Sequence, residues 1–508
     1  MVARRPFVTG LLGGLAATMR SAAVLADDTA APAQAGADLV RLRRNVWRND
    51  DSPEKFIWGY TDRHSATIGQ TFDLMLSTGP DGGDVRGRVE VYRIGHYPDG
   101  EGNGDRKLVW TSQPVTVPAC PVQITAAAVG AGWPTALEQI GTPGWQPGYH
   151  AIDFVREGDH ERDADVAFIV IVSPERDGDI LLELSTNTWQ AYNEWGGYSL
   201  YASDFLGAAA QVVSFDRPTD PMFYDYEYYL VIWLEKFCSE RGLKLHYATD
   251  FDVHSDRRFS ENYRLFLSGP HNEYWSREQF EAIHHRIFTL GRNTIFLGAN
   301  AAYWQIRYGD LHQGADPDNR GRQLVCYKSL DDPTRYRGPR SAAFNHITMR
   351  FRDGRRFPET MLAGVAYQSW FARNTPAKPR YAYRVVANDL PFFAGTGYAV
   401  GDAVADVVGY EWDNRDPEGD GRRLWDAQAS QVPPIPPDAI KVLFRGEPVD
   451  VDGRRGTAEA VYFRSSAGAK VFTAGSIYWV LGLNKPGYEQ PVFARFNAQL
   501  FHDFLRTE

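Results

Sequence analysis

The sequence predicts an all-β sandwich followed by an α/β region built on a mostly parallel sheet. Three observations carry this. At 508 residues the chain is too long for one ordinary core. From about Val46 to Val172, short apolar runs alternate with Gly, Asp and Pro turns. After about Asp179 the hydrophobic spacing changes to three and four residues, and strands begin to alternate with helices.

The boundaries follow in order. Residues 1–26 read as a signal peptide: Arg4-Arg5 precede a mild, Gly-rich apolar stretch, and Val24-Leu25-Ala26 supplies a small-residue cleavage site. Paired arginines of this kind indicate a twin-arginine route to the periplasm or beyond. The stretch is too short and interrupted for a membrane span. Residues 27–45 form an Ala-rich linker, 46–175 the sandwich and 176–508 the α/β region. Within the sandwich, "TFDLMLS" sets Phe72, Leu74 and Leu76 on one face, and "GHYPDGEGNGD" reads as a long hairpin loop. In the second region, "ILLELS", "LKLHYATD", "YRLFLSG" and "NTIFLGAN" read as strands. "YDYEYYLVIWLEKFCSERG" is a helix stopped by Gly242, and Ser276 with Gln279 forms a capping box before another. "ADVVGYEWD" and "KVFTAGSIYWVLG" are strand-like.

Composition narrows function. A net charge of -10 disfavours a nucleic-acid face. Aromatics reach 13%, which suits both an aromatic-lined pocket and a large core. The three cysteines lack CxxC spacing and allow at most one disulfide within the chain. GxSxG, HExxH and Walker motifs are missing from the sequence. His284-His285 point about 100° apart on a helix, so they do not share a metal.

Ligand sites in open α/β sheets gather beyond the carboxyl ends of strands. Apolar runs here end in Asn187, Tyr192 and Asn193; in His271 and Glu273; in Asn300; and in Glu411. Any one has a plain structural explanation, but their convergence would build a cleft.

"TNTWQAYNEWGG", "SFDRP", "ATDFDVH", "SGPHNEYWS" and "FLGANAAYWQIR", in this order, resemble the large (beta) subunit of N,N-dimethylformamidase and its relatives, over roughly Trp58 to Asp413. The resemblance implies a glutamine-amidotransferase-like α/β catalytic domain after the sandwich. It also implies a mononuclear ferric iron held by two tyrosinates and a glutamate, and hydrolysis of a small N-substituted amide. Matched residue by residue, the metal ligands are Tyr192, Glu273 and, as the best match for the second tyrosine, Tyr149. His271 and Asn300 match polar residues lining the family site, and Glu411 matches the catalytic carboxylate. Pro270 and Asn272 depart from the family's loop. The family also implies either a small partner subunit or a homo-oligomer. A degenerate, non-catalytic or carbohydrate-binding surface protein is the alternative; iron content separates the two. Phenolate and carboxylate suit a hard cation, whereas zinc would recruit clustered His and Cys.

Overall fold

Strand alternation builds the N-terminal half. The computed structural model describes residues 56–79, 82–98, 104–121, 123, 125–202, 209–219, 222–309, 321–337, 346–353, 358–371, 380–415, 435 and 439–506. The signal peptide and linker expected at 1–45 lie outside the described residues. The first strands are β1 (Trp58–Thr61), β2 (Ser65–Thr67), β3 (Thr71–Ser77), β4 (Val85–Ile94) and β5 (Arg106–Thr111). They are followed by β6 (Val115–Val117), β7 (Thr135–Gly141), β8 (Gly148–Arg156) and β9 (Arg162–Val172). They form one sheet of order β1-β3-β7 and a second of order β2-β9-β8-β4-β5, with β6 on β4. Phe72, Leu74 and Leu76 of β3 meet Val89, Val91, Ile152, Phe154 and Ile169 in one core, as their alternation predicts. The opposite side of β8, Tyr149 and Ala151, joins the core of the second half instead.

The second half has strands β10 (Asp177–Leu184), β11 (Val212–Ser214), β12 (Leu245–Thr249), β13 (Asn262–Ser268) and β14 (Tyr274–Ser276). Next come β15 (Asn293–Phe296), β16 (Trp304–Gly309), β17 (Gln323–Val325), β18 (Ala366–Trp370) and β19 (Tyr381–Val385). The last are β20 (Ala403–Val408), β21 (Glu411–Asn414), β22 (Lys441–Gly446), β23 (Ala458–Arg464) and β24 (Lys470–Thr473). The longer helices are α1 (Thr186–Tyr192), α2 (Glu227–Ser239), α3 (Asp250–Ser255), α4 (Arg277–Phe288) and α5 (Pro491–Leu505). A nine-stranded sheet runs β12-β10-β13-β15-β24-β23-β22-β19-β20. Its strands are parallel from β12 to β24 and antiparallel beyond.

Overall the described chain is β-rich, and the sheet is mixed where a mostly parallel one was expected. The added strands come from regions with weak periodicity. "KVFTAGSIYWVLG" is a strand only over Lys470–Thr473; Gly475 turns the chain at φ 61° and helical turns follow. The capping box at α4 forms in both directions between Ser276 and Gln279. Cys120, Cys238 and Cys326 are all buried free thiols. Among the described residues, no helix is long and apolar enough to cross a membrane.

Candidate active site

Sheet order explains the convergence that the sequence suggested. β10, β13 and β15 are parallel neighbours, so their carboxyl ends share one edge. β10 leads through Ser185 into α1, which ends on Tyr192. β13 leads into the loop carrying His271 and Glu273, and β15 into the turn carrying Asn300. Two of these loops touch. A Cβ on Gly298 would lie 1.8 Å from the Pro270 carbonyl oxygen, so only glycine lets them cross. Glu411 arrives from elsewhere: it opens β21, which pairs with β18 in a two-stranded ribbon outside the main sheet.

Glu273 is the hub. Tyr192 Oη donates to Glu273 Oε2 at 2.9 Å, and Tyr201 Oη donates to Oε1 at 2.8 Å. The two phenol rings lie 4.4 Å apart, centroid to centroid. His271 Nε2 sits 3.4 Å from Glu273 Oε2 and 3.3 Å from Glu411 Oε2. Asn300 Nδ2 donates to Glu411 Oε2 at 2.8 Å. His271, Glu273 and Asn300 are each only 2% exposed, and Glu411 6%. Lys328 places its ammonium 3.4 Å from the Tyr201 ring centroid, with Tyr274 and Trp304 beside it.

Burial dominates the electrostatics. It pushes both the Tyr192 and Tyr201 phenols well above 10, helped by the neighbouring Glu273 charge. Burial would lower His271, but Glu411 and Glu273 outweigh it and raise the imidazole to about 9. Burial would likewise raise Glu273; His271, then Lys328 and Tyr201, hold it below its ordinary value.

A second buried carboxylate pair lies behind the loop. Gln279 Nε2 donates to Glu183 Oε1 at 2.9 Å and to Asp250 Oδ1 at 2.8 Å. Glu183 Oε2 accepts from Asn272 Nδ2 at 2.8 Å, and Asp250 Oδ2 accepts from the Asn187 amide, also at 2.8 Å. Asn272, a departure from the family loop, is therefore an anchor. Desolvation raises Glu183 well above the carboxylate range and Asp250 to about 7. Both carboxyls hold protons at higher pH in the folded than in the unfolded chain. Folding stability therefore falls as pH rises from about 4 towards 7, by at most about 1.4 kcal/mol per pH unit for each extra proton held. The expected result is an unfolding temperature that declines between pH 5 and 7, with a flatter decline in Asp250→Asn. Identical slopes in variant and wild type would refute this account.

The structure thus brings Tyr192, His271, Glu273, Asn300 and Glu411 together. Tyr149 it puts elsewhere: its ring stacks on Phe223 at 3.8 Å and Phe168 at 5.4 Å, and meets Trp189 edge-on. The alternation that turned Tyr149 away from Ile152 and Phe154 holds. However, that face of β8 meets the aromatic core under α1, and the second phenol on Glu273 is Tyr201. Sequence reading missed Tyr201 and Lys328. The one signal for Tyr201 was the tyrosine excess, and Lys328 had none. Among the described residues, no set of three or more His, Cys, Asp or Glu side chains forms a metal-holding group. The oxygen donors on offer are Glu273 and its phenols.

No curated protein matches the chain closely enough to compare. A family model does match, over residues 88–490, well beyond half of the chain. It carries the loops of all three neighbouring parallel strands and Glu411, and by that match the chain belongs to the family described as N,N-dimethylformamidase beta subunit-like, C-terminal.

Proposed function

We propose that the protein is an exported, iron-dependent amidohydrolase that cleaves a small N-substituted amide, using an amidotransferase-like α/β half. The observation that carries this reading is the buried cluster in which His271 links Glu273, with its two phenols, to Glu411. Membership of a dimethylformamidase-like family supports the amide class. The parallel run of β12, β10, β13, β15 and β24 supports the fold.

The donor set fits a ferric ion. Two phenol oxygens reach the two oxygens of one buried carboxylate, and all are hard donors. Burial keeps the phenols protonated at neutral pH, so a highly charged cation is what would ionise them. Tyr192, Tyr201 and Glu273 would hold the iron, which when bound supplies a Lewis acid for the amide carbonyl. Glu411 takes a proton from the attacking water and delivers it to the departing nitrogen, as the water oxygen bonds to carbon and the C–N bond breaks. The His271 imidazolium, facing both carboxylates, offers its Nε2 proton to the developing oxyanion.

Metal analysis and amine release from a panel of N-substituted amides test the reading. About one iron per chain with turnover is expected; a chain that takes up no iron and releases no amine would overturn it. Export has its own test. Lysine at positions 4 and 5 should strand the protein inside the cell, and unchanged fractionation would remove the twin-arginine route. The family also supports a small partner subunit or self-association, which the mass of the purified complex would report.

A further inference from the structure

A small cavity lies where the sandwich meets the second half, between β1, β9 and α1. Its volume is about 40 Å³, and about 10–15 Å³ suffices for one water, so a halide-sized ion fits. Arg63, His64, Arg217 and Arg322 line it, and among the described residues no Asp or Glu does. Two of the guanidiniums come with a carboxylate from outside the cavity. Arg63 Nη2 lies 3.1 Å from Asp62 Oδ2, and Arg322 Nε donates to Asp216 Oδ1 at 2.8 Å. Arg217 is different. It is fully buried, and its hydrogen bonds all go to backbone carbonyls. Nε donates to Ser214 at 3.0 Å, Nη1 to Trp195 and to Tyr198 at 2.9 Å, and Nη2 to Asn193 at 3.0 Å and Gln190 at 3.4 Å. Burial alone pulls this guanidinium down to about 9, so it stays charged at neutral pH. A buried charge without a counter-ion is strongly disfavoured. Arg322 is 3% exposed; its Nη2 donates to the Thr61 and Phe215 carbonyls, at 2.7 and 3.2 Å, and its Nη1 has no hydrogen-bond partner among the described residues. Burial, and then Arg322, hold the His64 imidazole well below its ordinary value, so it adds no positive charge.

We propose that this cavity binds a small monovalent anion, chloride in ordinary solution, which accepts from Arg322 Nη1 and offsets the charge of Arg217. Water alone would satisfy Nη1 but leave Arg217 without a counter-ion. The excess charge around the cavity is that of one guanidinium, so one monovalent anion balances it. The volume admits a halide and is too small for a phosphate or sulfate group with its oxygens. The ion also bears on the neighbouring site. Gln190, Asn193, Trp195 and Tyr198, whose carbonyls Arg217 gathers, belong to the segment joining Tyr192 to Tyr201. Both of those phenols donate to Glu273. An anion that makes the buried Arg217 cheaper to keep therefore steadies the turn that delivers the second phenol. Binding of the anion itself requires neither iron nor amide hydrolysis.

The probe is chloride, followed through its own NMR line width as it is titrated into the purified protein. Ionic strength is held constant with gluconate, an anion too large for the cavity. The expected result is a saturable broadening that bromide competes away. The unfolding temperature should rise with chloride along the same saturation curve, as it does for any ligand that binds only the folded chain. Arg322→Gln keeps a donor for the neighbouring carbonyls but removes the charge and Nη1. It should weaken chloride binding at least about tenfold, as loss of a hydrogen bond to a charged group does. If that variant fails to fold, a bromide-soaked crystal of the wild type decides, and an anomalous peak beside Arg322 Nη1 upholds the site. A cavity empty of bromide at saturating concentration overturns the inference. So does broadening that bromide leaves unchanged, or that persists undiminished in folded Arg322→Gln.

Discussion

Glu411→Gln should lower kcat by about 10²–10⁴-fold while iron content stays near wild type. The substitution keeps the size of the side chain and leaves an oxygen to accept from Asn300 Nδ2, now at 2.8 Å. What it removes is the base. Glu411 is 6% exposed and lies 3.3 Å from His271 Nε2, so it is no surface carboxylate at a strand end. The decisive measurement is kcat on the best amide of the panel, with iron measured on the same sample. Wild-type turnover would take Glu411 out of the mechanism. Lost iron would make it a support of the metal site instead.

The second large effect concerns the phenols. Tyr192→Phe and Tyr201→Phe each keep a ring and delete one oxygen from Glu273, at 2.9 and 2.8 Å respectively. Iron affinity should fall at least about tenfold in each, because even residues that only support a metal ligand commonly cost that much. The visible tyrosinate-to-iron charge-transfer band should fade with it. Tyr149→Phe is the informative control. The family resemblance made Tyr149 a ligand, whereas its described ring contacts lie in the aromatic core with Phe223 and Trp189. Iron and colour should survive there. The reverse pattern, with iron lost in Tyr149→Phe and kept in Tyr201→Phe, would return the ligand role to Tyr149.

Much of the site was legible because it lies at places that sequence patterns mark. Tyr192, Glu273 and Asn300 each follow an apolar strand of the parallel sheet, and a strand's end is visible in one dimension. Tyr201 was not legible in the same way. It follows the irregular stretch after Asn193, where neither strand alternation nor helical spacing gives a side chain a direction. Asp413 was hidden by its surroundings: a carboxylate after a strand residue looks like a solvated turn until its partner, the Asn300 amide, is seen.

The sequence by itself determined the strands, the caps and the faces. Alternation put Phe72, Leu74 and Leu76 into the sandwich core and turned Tyr149 away from it; Ser276 and Gln279 set the start of α4. These are near-neighbour effects, set by side-chain direction and backbone hydrogen bonding within a few residues. Only the tertiary structure decided what each face meets: that Tyr149 stacks on Phe223, that Tyr201 reaches Glu273, and that Glu411 enters from a separate ribbon. Tyr192 and Glu273 are 81 positions apart, and Asn300 and Glu411 are 111 apart. Periodicity records which side of an element is buried. The partner on that side follows from sheet order and loop crossing, which no local pattern encodes.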